Sequence, residues 1–127
     1  RLLRMAKRSG AALTLNPADL APIYGAATVT AIPLRQGGGT RIKVIEALAV
    51  NCPIVATEKA VEGLGLVAGQ HYLRADSADD FVRQLHAVFE SDDLRAALCS
   101  AGQAHVQAHF GDARRAETVR ASLARLR

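Results

Sequence analysis

The segment that most restricts the fold is residues 28–57, TVTAIPLRQGGGTRIKVIEALAVNCPIVAT. Two short runs, 28–34 and 53–57, are β-branched and apolar. Between them Ile42, Ile45 and Ala49 share one helical face and Val44 and Leu48 another. A helix that is apolar on more than one side must be covered by other elements. A strand that is apolar without alternation needs cover on both of its faces. A strand, a buried helix and a second buried strand, in that order, make a parallel βαβ unit. Pro33 ends the first strand because proline cannot donate to a ladder.

The remaining pattern extends that unit. AALTL at 11–15 reads as a strand. PADLAPIYGAA follows from Pro17, with Leu20, Ile23 and Tyr24 at helical spacing, and Pro22 inside it makes the helix short or irregular. EKAVEGLGLVAGQ is turn-rich and HYL at 71–73 reads as a brief strand. Ser77 with Asp80 resembles a capping box with a shortened acid. Phe81, Leu85, Val88 and Phe89 then repeat at helical spacing, a second helix is expected over 92–109, and a third from Asp112. The expected class is α/β: a Rossmann-like parallel sheet with helices on both faces and a helical carboxyl-terminal tail over 92–127. Leu94, Leu98, Val119 and Leu123 in that tail need cover, so part of it is expected to be exposed or packed on a second copy of the chain. The chain opens on Arg1 in what looks like the end of a helix, and 1–127 is read as one partial domain of a larger protein.

Composition narrows the function classes. Half of the 127 residues are apolar, which argues against disorder. The net charge of +4 suits an anionic partner, but the cations are spread out and five aromatics are too few for a stacking surface, so nucleic acid is not expected. Cys52 and Cys99 lack metal or redox spacing and read as free thiols of a reducing compartment. No apolar run approaches the ~18 residues of a membrane span, and no signal peptide is visible.

The chemistry concentrates at Gly37-Gly38-Gly39-Thr40-Arg41-Ile42-Lys43. A loop that leaves the carboxyl end of a parallel strand and opens a helix presents free N–H groups and the positive end of the helix dipole. Glycines let a phosphate approach that backbone. Thr40 is placed to cap the helix, and Arg41 and Lys43 add cations. Neither a P-loop nor the G-x-G-x-x-G fingerprint fits, and a tight turn without a ligand is the plain alternative. A phosphate or diphosphate is the better reading. Glu46 lies in the most apolar helix of the chain, where a carboxylate needs partners. A structural ion pair with Lys43 or Arg41 and hydrogen bonds to sugar hydroxyls both remain open at this point.

The ordered series Tyr24, Pro33, Gly37–Gly39, Lys43, Glu46–Ala49, Pro53–Thr57 and Glu62–Leu64, with the helical close that follows, resembles the carboxyl-terminal, donor-nucleotide half of a group 1 (family 4) glycosyltransferase with two Rossmann-like domains. The resemblance covers nearly the whole chain from Asn16. It implies a donor site in which Gly37, Gly38, Gly39, Thr40, Arg41 and Lys43 hold the diphosphate of a nucleotide sugar and Glu46 binds ribose hydroxyls. Many members carry a second glutamate eight residues before Glu46; here that position is Gly38. The resemblance further implies a missing amino-terminal domain that binds the acceptor, no cofactor, no metal, and no transfer by this chain alone. Cell-envelope polysaccharide synthesis and a cytoplasmic location follow from it, with peripheral contact at the inner membrane face as a minor alternative. A non-catalytic nucleotide- or phosphate-binding module, or a protein-interaction module, is the alternative function. No catalytic residue is assigned.

Three further features carry weaker readings. His105 and His109 have metal-ligand spacing but no third ligand in pattern, so surface histidines are expected. Arg114, Arg115, Arg120, Arg125 and Arg127 read as a solvated face, with lipid headgroups as the lesser option. Glu62-Gly63 and Arg35 are each placed either on the rim of the donor site or simply facing water.

Overall fold

The computed structural model describes residues 2–13, 18–37 and 41–110. Its elements are α1 (Leu2–Ser9), α2 (Ala21–Ala26), β1 (Thr30–Ile32), α3 (Arg41–Ala49), β2 (Ile54–Ala56), β3 (Leu73–Arg74), α4 (Ala78–Glu90) and α5 (Asp92–Phe110), with one 3-10 turn at Lys59–Val61. The strands form a parallel sheet in the order β1-β2-β3. Thr30 is opposite Ile54, Ile32 opposite Ala56, and Val55 opposite Leu73.

β2 is fully buried because both of its faces are covered. Side chains alternate across a strand. Ile54 and Ala56 therefore meet Val44, Ala47 and Leu48 of α3 on one side, while Val55 and Leu73 meet Val88, Phe81 and Leu85 of α4 on the other. The layered parallel α/β expectation is met. α3 is largely buried, with Val44, Glu46, Ala47 and Leu48 inside, while Arg41 and Lys43 in its first turn face solvent. It ends in a left-handed residue, Asn51, at φ 59°. The N–H of Asn51 donates to Leu48 O and that of Cys52 to Ala47 O, a paired closure that satisfies the last carbonyls and turns the chain into β2.

α5 crosses between the two sides. Leu98 belongs to the cluster under α4 and Val106 to the cluster under α3. Gly102 sets the approach of α5 to α3: a Cβ there would lie 2.7 Å from Leu48 Cδ2. α4 starts with the expected capping box, Asp80 N–H donating to Ser77 Oγ at 3.1 Å and Ser77 N–H to Asp80 Oδ2 at 3.3 Å.

Several expectations shift. Residues 11–13 form no strand, and the rest of AALTL lies outside the described residues. Residues 11–13 pair with no strand, and propensity without a ladder partner does not make a strand. Val29 precedes β1 by one residue and packs on the α4 side. The HYL strand is displaced to Leu73–Arg74, with Tyr72 making only an isolated bridge to Ala68, because His71 is taken up by a tight turn. Pro22 falls in the first turn of a six-residue α2, where its missing N–H costs nothing. The helix expected from Asp112, and Val119 and Leu123 with it, lie outside the described residues.

Candidate functional site

Three chain crossings meet beyond the carboxyl ends of the strands: β1 into α3, β2 into the 3-10 turn, and β3 into α4. Parallel sheets present their ligand crevice at that edge. Thr57 ties two of the crossings together. Its hydroxyl donates to Leu34 O and accepts from Ala60 N–H, which fixes the segment after β1 against the turn after β2.

Two adjoining cavities open on the α4 side of the crevice. One, of ≈ 380 Å³, has an apolar floor of Ala31, Pro33, Phe81 and Leu85; the other, of ≈ 490 Å³, is bordered by Leu34, Glu58 and Lys59. Both volumes fall in the ~300–1,000 Å³ range of small-molecule sites. Arg35, Thr57, Asp76 and Ser77 line both.

On the α3 side, Gly37 is left-handed at φ 86°, and a Cβ there would meet nothing within 4 Å. Gly38, Gly39 and Thr40 lie outside the described residues. Arg41, the first described residue of α3, is exposed and approaches Glu62 at 4.0 Å. Glu62 is held more closely by Lys59, at 2.8 Å. The Lys59 hydrogen bond and charge, and more weakly Arg41, keep the Glu62 carboxyl below its usual range. Arg41 therefore meets Glu62. Glu62 and Gly63 stand directly over it, with Gly63 close enough that a Cβ would lie 3.8 Å from the Arg41 guanidinium carbon. Lys43 and Arg35 are exposed, and among the described residues neither has a carboxylate partner within ion-pair distance. Arg74 is engaged, by Glu58 at 3.1 Å and Asp76 at 2.8 Å.

Glu46 is only 6% exposed, on a helix whose Val44 and Ala47 are fully buried. It stands five residues from Arg41, about 7.5 Å along the helix axis at ~1.5 Å per residue. A glycine loop, the amino end of a helix, cations without carboxylate partners and a carboxylate one and a half turns further on suit an anionic ligand that also carries hydroxyls. A family model described as glycosyl transferase-like matches residues 9–121. The chain belongs to that family. No curated protein and no solved structure matches it. The family assignment agrees with the resemblance drawn from Tyr24 to Leu64.

Within this glycosyl transferase-like chain the other singled-out residues fall as follows. Cys52 and Cys99 are free, Cys52 buried and Cys99 half-buried. Burial pushes both thiols up, with a hydrogen bond from Thr30 partly opposing this for Cys52. Among the described residues no group of three His, Cys, Asp or Glu side chains has metal-binding geometry, and no helix is long and apolar enough to cross a membrane. His109 is exposed. His105 is half-buried and bonded through Nε2 to Leu64 O at 2.8 Å. His71, buried to 8% exposure, carries no sequence motif and was not singled out by sequence reasoning.

Proposed function

We propose that this chain is the donor-binding part of a glycosyltransferase. In this reading the diphosphate of a nucleotide sugar lies against Gly37–Thr40 and the amino end of α3, with Arg41 and Lys43 beside it, and Glu46 accepts hydrogen bonds from ribose hydroxyls. The observation that carries it is the family membership, together with a βαβ unit whose helix α3 carries Arg41, Lys43 and Glu46 from the carboxyl edge of the sheet.

The chemistry follows from that placement. As an acceptor hydroxyl forms its bond to the anomeric carbon, the bond from that carbon to the diphosphate oxygen breaks, and the diphosphate leaves with the electron pair. N–H groups at a helix start and fixed cations stabilise that growing negative charge where it develops. The acceptor would come from an amino-terminal domain of the same protein.

The test is calorimetric titration of the full-length protein with nucleoside diphosphates of the common bases. Glu46→Ala should weaken binding by about 1.5–3 kcal/mol, the scale of a charged hydrogen bond. Gly39→Val should block the diphosphate with Glu46 intact. If both variants bind as tightly as the unmodified protein, the glycine triplet is only a turn and the reading fails.

A further inference from the structure

The segment 62–71 between the 3-10 turn and β3 carries three left-handed glycines, Gly63, Gly65 and Gly69, and no helix or strand of its own. Leu64 and Leu66 pack it on the core beside α3, and two histidines 34 positions apart in the chain add polar ties, one within the segment and one to α5. His105, on α5, has Nε2 at 2.8 Å from Leu64 O. A carbonyl only accepts, so that nitrogen carries a proton. His71, at the end of the segment, has Nδ1 at 2.9 Å from Val67 N. A backbone N–H only donates, so Nδ1 is bare and neutral His71 keeps its proton on Nε2. The two rings meet at 4.7 Å between centroids, tilted by 52°, and His105 meets His109 at 4.3 Å, tilted by 38°. Gly65 packs on the His105 ring, where a Cβ would lie 3.5 Å from Cε1. At its other end the segment presents Glu62 and Gly63 to Arg41.

We infer that His71 and His105 are positioning residues for the α3 site: they clamp residues 62–71 onto α5, hold Glu62 and Gly63 over Arg41, and release this rim when His71 takes a second proton. This rests on the reading of the α3 end as a diphosphate site. The ionising groups that act on His71 are His105 and His109 on α5, both cationic when protonated, and among the described residues no carboxylate offsets them. Burial first, then those two charges, pushes His71 below the usual histidine range. A second proton on His71 must sit on Nδ1, which removes the bond from Val67 N–H. His105 keeps its bond to Leu64 in either charge state, because Nε2 is protonated in both. The switch is therefore His71 and the fixed post is His105.

The sign follows from linkage. A histidine depressed in the fold binds fewer protons there than in the open chain, so the clamp is fully closed above about pH 6.5 and opens as pH falls through the depressed value. Hydrogen exchange read by mass spectrometry on the full chain, corrected for intrinsic exchange, should show protection of residues 64–71 falling between pH 7.5 and 5.0. The fall should be roughly tenfold for each unit by which the pKa is depressed. His71→Asn keeps an acceptor near the Nδ1 position without a titrating ring, and its protection should not change with pH. His105→Gln keeps a donor to Leu64 and should retain the fall. The affinity of the full-length protein for its tightest-binding nucleoside diphosphate should drop over the same pH range more in the unmodified protein than in His71→Asn; comparing the two removes the ionisation of the diphosphate itself. Constant protection in the unmodified protein, or an equal fall in His71→Asn, overturns the clamp. A fall in protection with no difference in affinity between the two proteins overturns the positioning role. Absence of nucleoside diphosphate binding at pH 7.5 overturns the site reading and the positioning role with it, while the exchange result still decides whether the histidines clamp the segment.

Discussion

The two glycine-bearing crossings at the carboxyl edge of the sheet look alike as sequence and differ as structure. In the β1–α3 crossing, Gly37 faces open space: a Cβ there would meet nothing within 4 Å among the described residues. In the β2–β3 crossing, Gly63 lies against Arg41 and Gly65 against His105. Both crossings use left-handed backbone, which explains the glycines at Gly37, Gly63 and Gly65 equally well. The difference lies in what surrounds them. Gly37 is left open to access, Gly63 and Gly65 lie against packed neighbours, and Gly69 is as open as Gly37, so glycine content alone does not separate a ligand loop from a clamped one.

The largest separation should come from valine at the packed position. Gly65→Val places a β-branched residue at φ 72° against the His105 ring, and should cost about 3 kcal/mol or more of stability in a denaturant melt. Gly37→Ala meets only the left-handed strain, about 1 kcal/mol, and should weaken nucleoside diphosphate binding by more than that in calorimetry. If the two substitutions destabilise equally, the distinction between access and packing does not hold. A finer comparison pairs Gly65→Ala with Gly37→Ala. The left-handed strain is shared and a Cβ at Gly65 falls at ordinary van der Waals distance from His105, so the two alanine variants should differ by no more than a few tenths of a kcal/mol, and that difference measures the His105 contact. The smallest effect belongs to Glu62→Gln. Its carboxylate is exposed beside Lys59 and Arg41, so thermal melts should be indistinguishable from those of the unmodified chain, while the salt dependence of diphosphate binding should change as Arg41 is freed.

What could be read from the residues, and what could not, divides along similar lines. β1, β2 and α3 were legible because a helix apolar on more than one side, between two apolar runs, admits few arrangements. The start of α4 was legible because Ser77 and Asp80 make a local closure that depends on no other part of the chain. AALTL misled because strand formation depends on a neighbour, and local sequence does not say whether one is present. HYL was misplaced by two residues at its start because the turn is set by a side chain, His71, that accepts from Val67 N–H four residues back. The ligand candidates were named from a contiguous run, Gly37 to Glu46, of which Gly38, Gly39 and Thr40 lie outside the described residues. The histidine clamp was not: His71 and His105 are brought together only by the docking of α5, and the one spacing that stood out, His105 to His109, points to a metal rather than to His71.

That docking sets how the molecule comes apart. α5 is a single rod of 19 residues with Leu98 fixed on one side of the sheet and Val106 on the other. Neither cluster can open far without bending the rod or pulling it from the second cluster, so the two sides should melt together, as one cooperative unit. Fraying from the His109 end has a different result. It would surrender Val106 and the Leu64 bond while Leu98 stayed seated, undoing the crossing over Arg41 and leaving the α4 side closed. The same helix thus joins the two layers against global unfolding and carries, in its last described turns, the tie of the crossing over Arg41.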